Sequence, residues 1–175
     1  MIAGGAVLLA ATIVWLKTRP SMPKRAKAVS DFKPKKYLGK WYEIARLNYR
    51  FEKNLNNVTA DYSLNEDGSI KVLNKGYDYL NHQWRSTTGK AVFRGDRSSG
   101  KLKVSFFGPF YSGYNVIALD PEYRYALVAG NDLSYLWILS REKSIPTNVK
   151  NEYLKIAGAV GYDTTKLIWT EHSRD

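Results

Sequence analysis

Gly39-Lys40-Trp41-Tyr42-Glu43-Ile44-Ala45-Arg46 decides how this chain is read: a glycine, a tryptophan two residues on, and a strand-like run behind them. Two further signals follow far downstream, Asp120-Pro121-Glu122-Tyr123 and Tyr135-Leu136-Trp137-Ile138-Leu139-Ser140-Arg141. Between them lie short stretches of alternating polarity. Strands are expected near 39–47, 57–65, 69–78, 84–94, 101–107, 113–120, 123–130 and 134–141. The punctuation fits tight hairpins. Glu66-Asp67-Gly68 and Arg97-Ser98-Ser99-Gly100 each supply a glycine for a positive φ, and Pro121 presets φ at the second position of its turn. The expected architecture is all-β: an eight-stranded antiparallel up-and-down β-barrel, closed so that no edge is free and wide enough inside for a small ligand.

Topology brings the three signals together. If the first strand starts at the bottom, the last strand ends there too, as does the turn carrying Asp120 and Tyr123. Gly39, Trp41, Asp120, Tyr123 and Arg141 are therefore expected as a structural closure. The indole plugs the floor and the guanidinium lies across it in a cation–π contact. The connections near 47–57, 78–84, 107–113 and 130–134 then surround the mouth.

After Arg141 the period changes. Ser144 is placed to cap a helix with Pro146 in its first turn, and Val149, Tyr153, Ile156 and Val160 form one apolar stripe. Gly161 closes this C-terminal α-helix, expected to pack outside the barrel, and 166–170 reads as a last short strand. The 175 residues, 44% apolar and 14% aromatic, suffice for one core, so 37–175 is expected to be a single barrel domain.

Residues 1–36 differ in kind. An apolar run from Ile2 to Leu16 precedes a basic stretch, and this segment holds 8 basic residues against 1 acid, compared with 19 and 15 in the remainder. Two readings stand, a cleaved signal segment or an uncleaved membrane anchor with a basic tether lying on anionic headgroups. The run is short for a bilayer about 30 Å thick, and no basic residue precedes it. The chain has no cysteine, which excludes disulfides, thiolate metal sites and a thiol nucleophile.

With Gly39-x-Trp41, Asp120-x-x-Tyr123 and Ser140-Arg141 in place, the chain resembles the lipocalin family. The likeness extends through Tyr37 to Arg46, Asn74-Lys75-Gly76-Tyr77, Leu102 to Phe110 and Tyr135 to Arg141, and covers essentially residues 37–172. It is similar above all to bacterial, outer-membrane lipoprotein members. That resemblance implies binding, storage or transport of a hydrophobic molecule such as a fatty acid or lysophospholipid, in or at the membranes of the cell envelope. Bacterial members typically carry a lipidated cysteine after the signal segment. This chain lacks it, so the apolar run is left to serve as the anchor.

Alternation by twos from Trp41 and Arg141 gives the expected lining: Glu43 and Ala45, Ala60 and Tyr62, Val72 and Asn74, Val104 and Phe106, Tyr114 and Val116, Val128, Tyr135 and Trp137. Leu64, Ala118 and Ala126 fall in the same phase. An apolar cup with a few polar groups suits an acyl chain bearing one polar end, since burial contributes about 0.8 kcal/mol per methylene. Glu43 reads either as a buried acid hydrogen-bonded to tyrosines or as a ligand-sensing group, and Asn74 either as a satisfied interior amide or as a hook for the head group. The aromatic mouth segment Phe106 to Gly113 reads as a contact surface for a membrane, a ligand tail or a second copy in a homodimer, or as side chains folding back into the cup. Arg50 and Lys53 on the neighbouring loop are candidate anion contacts.

Other functions find little support. Two histidines, no Gly-x-Ser-x-Gly elbow and no phosphate-binding glycine motif argue against an enzyme, a metal centre or a cofactor. The basic excess belongs mostly to the N-terminal stretch, which argues against nucleic acid as a partner. The remaining alternative is a structural protein of the envelope without a dedicated ligand.

Overall fold

The structure, a computed structural model, describes residues 21–47 and 54–174. The expected anchor, Ile2 to Leu16, and Arg50 and Lys53 lie outside the described residues. Eight strands form the barrel: β1 (Gly39–Leu47), β2 (Leu55–Leu64), β3 (Ile70–Asp78), β4 (Gln83–Phe93), β5 (Lys101–Phe107), β6 (Phe110–Leu119), β7 (Tyr125–Ala129) and β8 (Leu136–Ser140). Each pairs antiparallel with its successor, and β8 returns to β1, which also pairs with β2 and closes the cylinder. A ninth strand, β9 (Leu167–Trp169), adds to the upper half of β1.

Closure leaves β1 shared. Gly39 to Tyr42 pair with β2, whereas Ala45 to Leu47 pair with β9. β2 bends away through an irregularity between Asn56 and Thr59, with Asn57 at φ +51°. The chain from Thr170 to Arg174 then lies along that seam. Asn57 N donates to Glu171 O at 2.7 Å, Thr170 N to Ile44 O at 3.0 Å, and Arg174 N to Asn57 Oδ1 at 2.7 Å.

Two apolar cores result. One fills the lower barrel, built on Trp41, Tyr62, Ile70, Val72, Leu102, Val116 and Val128. The other lies between the outer wall and helix α2 (Thr147–Val160), which buries Tyr153 and Ala157 against Leu127, Ala129, Leu136 and Ile138. Both faces of β7 are thus covered, which is why its sequence is apolar throughout. The helix starts later than Ser144 predicts. Pro146 is its N-cap residue without a side-chain bond, and Ser144 instead accepts a hydrogen bond from Ser140 through its carbonyl. Gly161 ends it in the left-handed region at φ +114°, its N–H reaching Ala157 O and Gly158 O.

The stretch expected as a basic tether on anionic headgroups is packed against the barrel where it is described. Val29 and Phe32 make backbone bonds to Val116, Gly100 and Ser98, and Ala26 is buried under the outer core. A short helix, α1 (Pro34–Tyr37), then turns the chain across the barrel floor into β1. The reason is apolar content hidden among cations: Phe32 and Tyr37 are buried among the aromatics of that floor.

Candidate functional site

The floor is built around Trp41, fully buried with its indole N–H donating to Tyr37 O at 2.9 Å. The Arg141 guanidinium sits 3.9 Å from the indole centroid. Its nitrogens donate to the carbonyls of Lys40 (2.7 Å), Lys36 (2.9 Å), Leu38 (2.9 Å) and Tyr123 (3.2 Å). Gly39 takes φ +90°, and a side chain there would begin 3.5 Å from that guanidinium. Asp120 orders the adjoining turn. Its carboxylate accepts from the backbone of Glu122 and Arg124 and from the Arg124 side chain at 3.0 Å, which holds its carboxyl below the usual range. Tyr123, at φ +59°, accepts Lys33 N on its hydroxyl at 2.8 Å.

Above this plug three phenols meet. The Tyr114 hydroxyl lies 2.7 Å from that of Tyr37 and 2.8 Å from that of Tyr62. Burial pushes the Tyr37 and Tyr114 phenols well above their ordinary pKa, so this polar step on the floor is uncharged.

Register then fixes the walls. Ala60, Asn74 and Thr87 face one another across β2, β3 and β4, as do Ile70, Ala91 and Val104 across β3, β4 and β5. Low in the barrel, Tyr62, Ile70, Val72, Leu102, Val116 and Val128 are buried. Ala60, Asn74, Val104, Phe106, Tyr114 and Trp137 share the inner face and are half-buried. The inner face thus runs from residues cut off from water to residues that keep part of their exposure. Tyr135 stacks on Trp137 near the rim, with centroids 6.3 Å apart. The Oδ1 atom of Asn74 is buried without a hydrogen-bond partner.

Two expected inward residues face the other way. Ala45 packs under the helix, because β1 carries a bulge between Glu43 and Ala45: Glu43 opposes Leu139, but Ala45 opposes Ile138 and Arg46 opposes Trp137. The extra residue reverses the alternation. Ala118 is turned outward by an equivalent bulge in β6, between Val116 and Ala118. Leu64, also expected inside, is 49% exposed at the bottom end of β2. The sequence carries a signal for both bulges, adjacent apolar pairs, Ile44-Ala45 and Ile117-Ala118, inside alternating strands.

The first bulge brings in a residue that alternation missed. Arg46 is buried and donates to Glu43 Oε1 at 2.5 Å, to Leu55 O at 3.1 Å and to Thr170 Oγ1 at 3.2 Å. Thr170 in turn donates to Glu43 at 2.6 Å. Glu43, a candidate ligand contact by alternation, is thus neutralised within the seam between β1, β2 and the C-terminal segment, and its partners are an arginine and a threonine rather than tyrosines.

At the rim the aromatic segment divides. Phe106 turns inward, whereas Phe107 (67% exposed), Phe110 (80%) and Tyr111 face water. Leu80 at the β3–β4 tip and Leu133 in the β7–β8 loop are also exposed at this end. Among the described residues, no group of three or more histidine, aspartate or glutamate side chains is placed to hold a metal ion.

Comparison with known proteins agrees with this architecture. The lipocalin-like domain profile matches residues 32–172. The chain is 54% identical over 166 residues to the outer membrane lipoprotein Blc of Citrobacter freundii, covering 95% of this chain and 94% of that protein. It is 51% identical to the Blc protein of Escherichia coli strain K12 over the same shares. Apolipoprotein D of Mus musculus is 34% identical over 152 residues, covering 82% of this chain and 78% of its own. Among solved structures, insecticyanin from the tobacco hornworm Manduca sexta superposes with a TM-score of 0.71 at 24% identity, covering 89% of this chain and 88% of its own. On sequence and on fold alike, this chain belongs to the lipocalin family.

Proposed function

We propose that the barrel binds, stores or carries a lipid or similar hydrophobic molecule, a fatty acid or lysophospholipid, in the cell envelope, and that it works by reversible binding without catalysis. The observation that carries this reading is the gradient along the inner face. Its buried apolar residues, Tyr62, Val72, Val116 and Val128, offer burial to an alkyl tail, and half-buried Val104, Phe106 and Trp137 on the same face leave that tail a way in. Of the expected lining, Ala60, Tyr62, Val72, Val104, Phe106, Tyr114, Val116, Val128 and Trp137 serve the tail, with Tyr135 at the rim. Asn74 serves the polar end, because its buried carbonyl oxygen has an unused acceptor site for a ligand hydroxyl or amide. Ala45 and Glu43 drop out of the ligand set.

The names of the two bacterial relatives, both outer membrane lipoproteins, support an outer-membrane setting. This chain has no cysteine to acylate, so residues 1–20 provide the attachment in this reading. Ser21, where the described chain begins, accepts a hydrogen bond from Asn115 and lies against Gly113, close to the rim. The apolar tips Leu80, Phe107, Phe110 and Leu133 share that end. An anchor leaving from the rim turns the mouth toward the bilayer, where an apolar ligand is exchanged without crossing water.

The test is mass analysis of small molecules that co-purify with the full chain, followed by titration with a fluorescent fatty acid. Saturable binding weakened by Trp137→Ala at nearly unchanged stability is the expected result. No co-purified lipid and no saturable binding would favour the structural role instead.

A further inference from the structure

A concavity lies on the outside of the barrel, away from the inner face proposed to hold the lipid. It is a groove of about 530 Å³. Its floor is an outward-facing row in register across four strands, Tyr42, Thr59, Lys75 and Ser86. One wall is the C-terminal segment with His172 and Arg174, and another carries Trp84, 51% exposed.

That segment is fastened, so the groove has a fixed shape. His172 Nε2 lies 2.8 Å from Glu43 O, the His172 ring meets Tyr42 edge-on, and the Arg174 guanidinium covers the Tyr77 ring at 4.1 Å. These contacts add to the bond that Asn57 N donates to Glu171 O and the one that Asn57 Oδ1 accepts from Arg174 N.

Charge is the second feature. Lys40, Lys75, Arg85, Arg174 and Lys143 all line the groove, and no aspartate or glutamate does so among the described residues. Arg85 is paired with Asp78 at 2.6 Å. Asp61, the cross-strand neighbour of Lys40, lies outside the lining. Lys40 and Arg174 rest on aromatic rings, which orient them without neutralising them. Like charges gathered at one concavity repel, and the low-dielectric wall behind them focuses their field into the groove. An anion removes that repulsion. The hydroxyls of Thr59 and Ser86 on the floor can donate to its oxygens.

We propose that this outer groove binds a phosphate-bearing ligand of at least two negative charges, either a soluble phosphorylated molecule or a lipid headgroup presented beside the barrel. The site is independent of the cup. Its chemistry is set by Lys40, Lys75 and Arg174, with the exposed indole of Trp84 as a flat apolar wall.

The experiment uses the full chain in a non-ionic detergent, with pyrophosphate as the soluble probe and phosphatidylcholine vesicles with and without phosphatidylglycerol as the lipid probe. Lys75→Glu removes a groove cation from an exposed position on β3. Lys71→Glu makes the same change of charge on the same strand and outer face, beyond the groove. Pyrophosphate is expected to bind saturably, with affinity reduced about tenfold or more by Lys75→Glu and within about twofold of the parent for Lys71→Glu. Lys40→Glu provides a second variant should Lys75→Glu fold poorly. Capture by anionic vesicles that depends on Lys75 and is competed by pyrophosphate identifies the headgroup source. Pyrophosphate binding without such capture identifies the soluble source. Equal losses from Lys71→Glu and Lys75→Glu, or no saturable binding of either probe, would overturn the proposal. Fluorescent fatty-acid binding should be unchanged by Lys75→Glu, which separates failure of this site from failure of the cup.

Discussion

Arg141 and Arg46 are both drawn out of bulk water, and they are satisfied in opposite ways. Arg141, at the floor, is half-buried and meets four backbone carbonyls and the face of Trp41. Arg46, in the seam, is fully buried and is held against the Glu43 carboxylate. Depth accounts for the difference. A guanidinium that keeps part of its hydration is satisfied by dipoles and a ring quadrupole, whereas one cut off from water needs an opposite charge. The two also fasten different things. Arg141 ties the N-terminal crossing at Lys36, Leu38 and Lys40 to the turn at Tyr123, while the Glu43–Arg46 pair fills the place where β1 parts from β2 and the C-terminal segment enters.

The largest effect should come from removing the surface on which Arg141 lies. Trp41→Ala deletes a fully buried indole and its bond to Tyr37, and is expected to cost about 3 to 5 kcal/mol in urea unfolding. A loss below about 1 kcal/mol would mean that Trp41 is not the plug. In the seam, Glu43→Ala strands a buried guanidinium and should cost about 3 kcal/mol. The sharper measurement is the double variant Glu43→Leu/Arg46→Met. Removing both charges should recover much of that loss, and a double variant as unstable as the sum of its singles would show that the pair is not coupled.

The same contrast shows what a sequence reveals. At the floor, the fold depends on residue types that few alternatives replace: an indole, a guanidinium and glycine at φ +90°. Their spacing, together with an even number of strands, was enough to bring Gly39, Trp41, Asp120, Tyr123 and Arg141 to one end. In the seam, the outcome depends on register. One inserted residue in β1 turned Ala45 outward and Arg46 inward, and strict alternation carries no memory of such an insertion. Ala118 failed for the same reason on β6. Phe32 and Tyr37 were hidden differently. They stand among lysines, and a local charge count hides an aromatic that is buried by contacts distant in sequence. The partner of Glu43 was unreadable because Thr170 comes from the opposite end of the domain.

Arg141→Lys should show a smaller effect. Lysine keeps a cation over the indole but cannot span four carbonyls with a planar fork, so a loss of about 1 to 2 kcal/mol is expected in the same unfolding assay. A variant as stable as the parent would assign the floor to the cation–π contact alone. A loss as large as that of Trp41→Ala would assign it to the hydrogen bonds.

The smallest effect tests whether the phenol cluster above the plug is uncharged. Burial raises the Tyr37 and Tyr114 phenols well above the ordinary value of 10.0, while unfolding would restore that value. A group whose folded pKa is raised holds its proton longer in the native state, so its contribution is fully present below about pH 10 and is lost as pH rises toward the folded pKa. Stability should therefore be flat with respect to these phenols at neutral pH and decline above about pH 10. Tyr153 and Tyr162 are raised by burial as well and share that slope. Tyr114→Phe isolates the floor. It removes the hydroxyl that joins Tyr37 to Tyr62, so it should lower stability modestly at neutral pH yet make the alkaline decline shallower. An alkaline slope identical to the parent's would place its origin at Tyr153 and Tyr162, outside the barrel, and leave the phenol cluster with only a packing role.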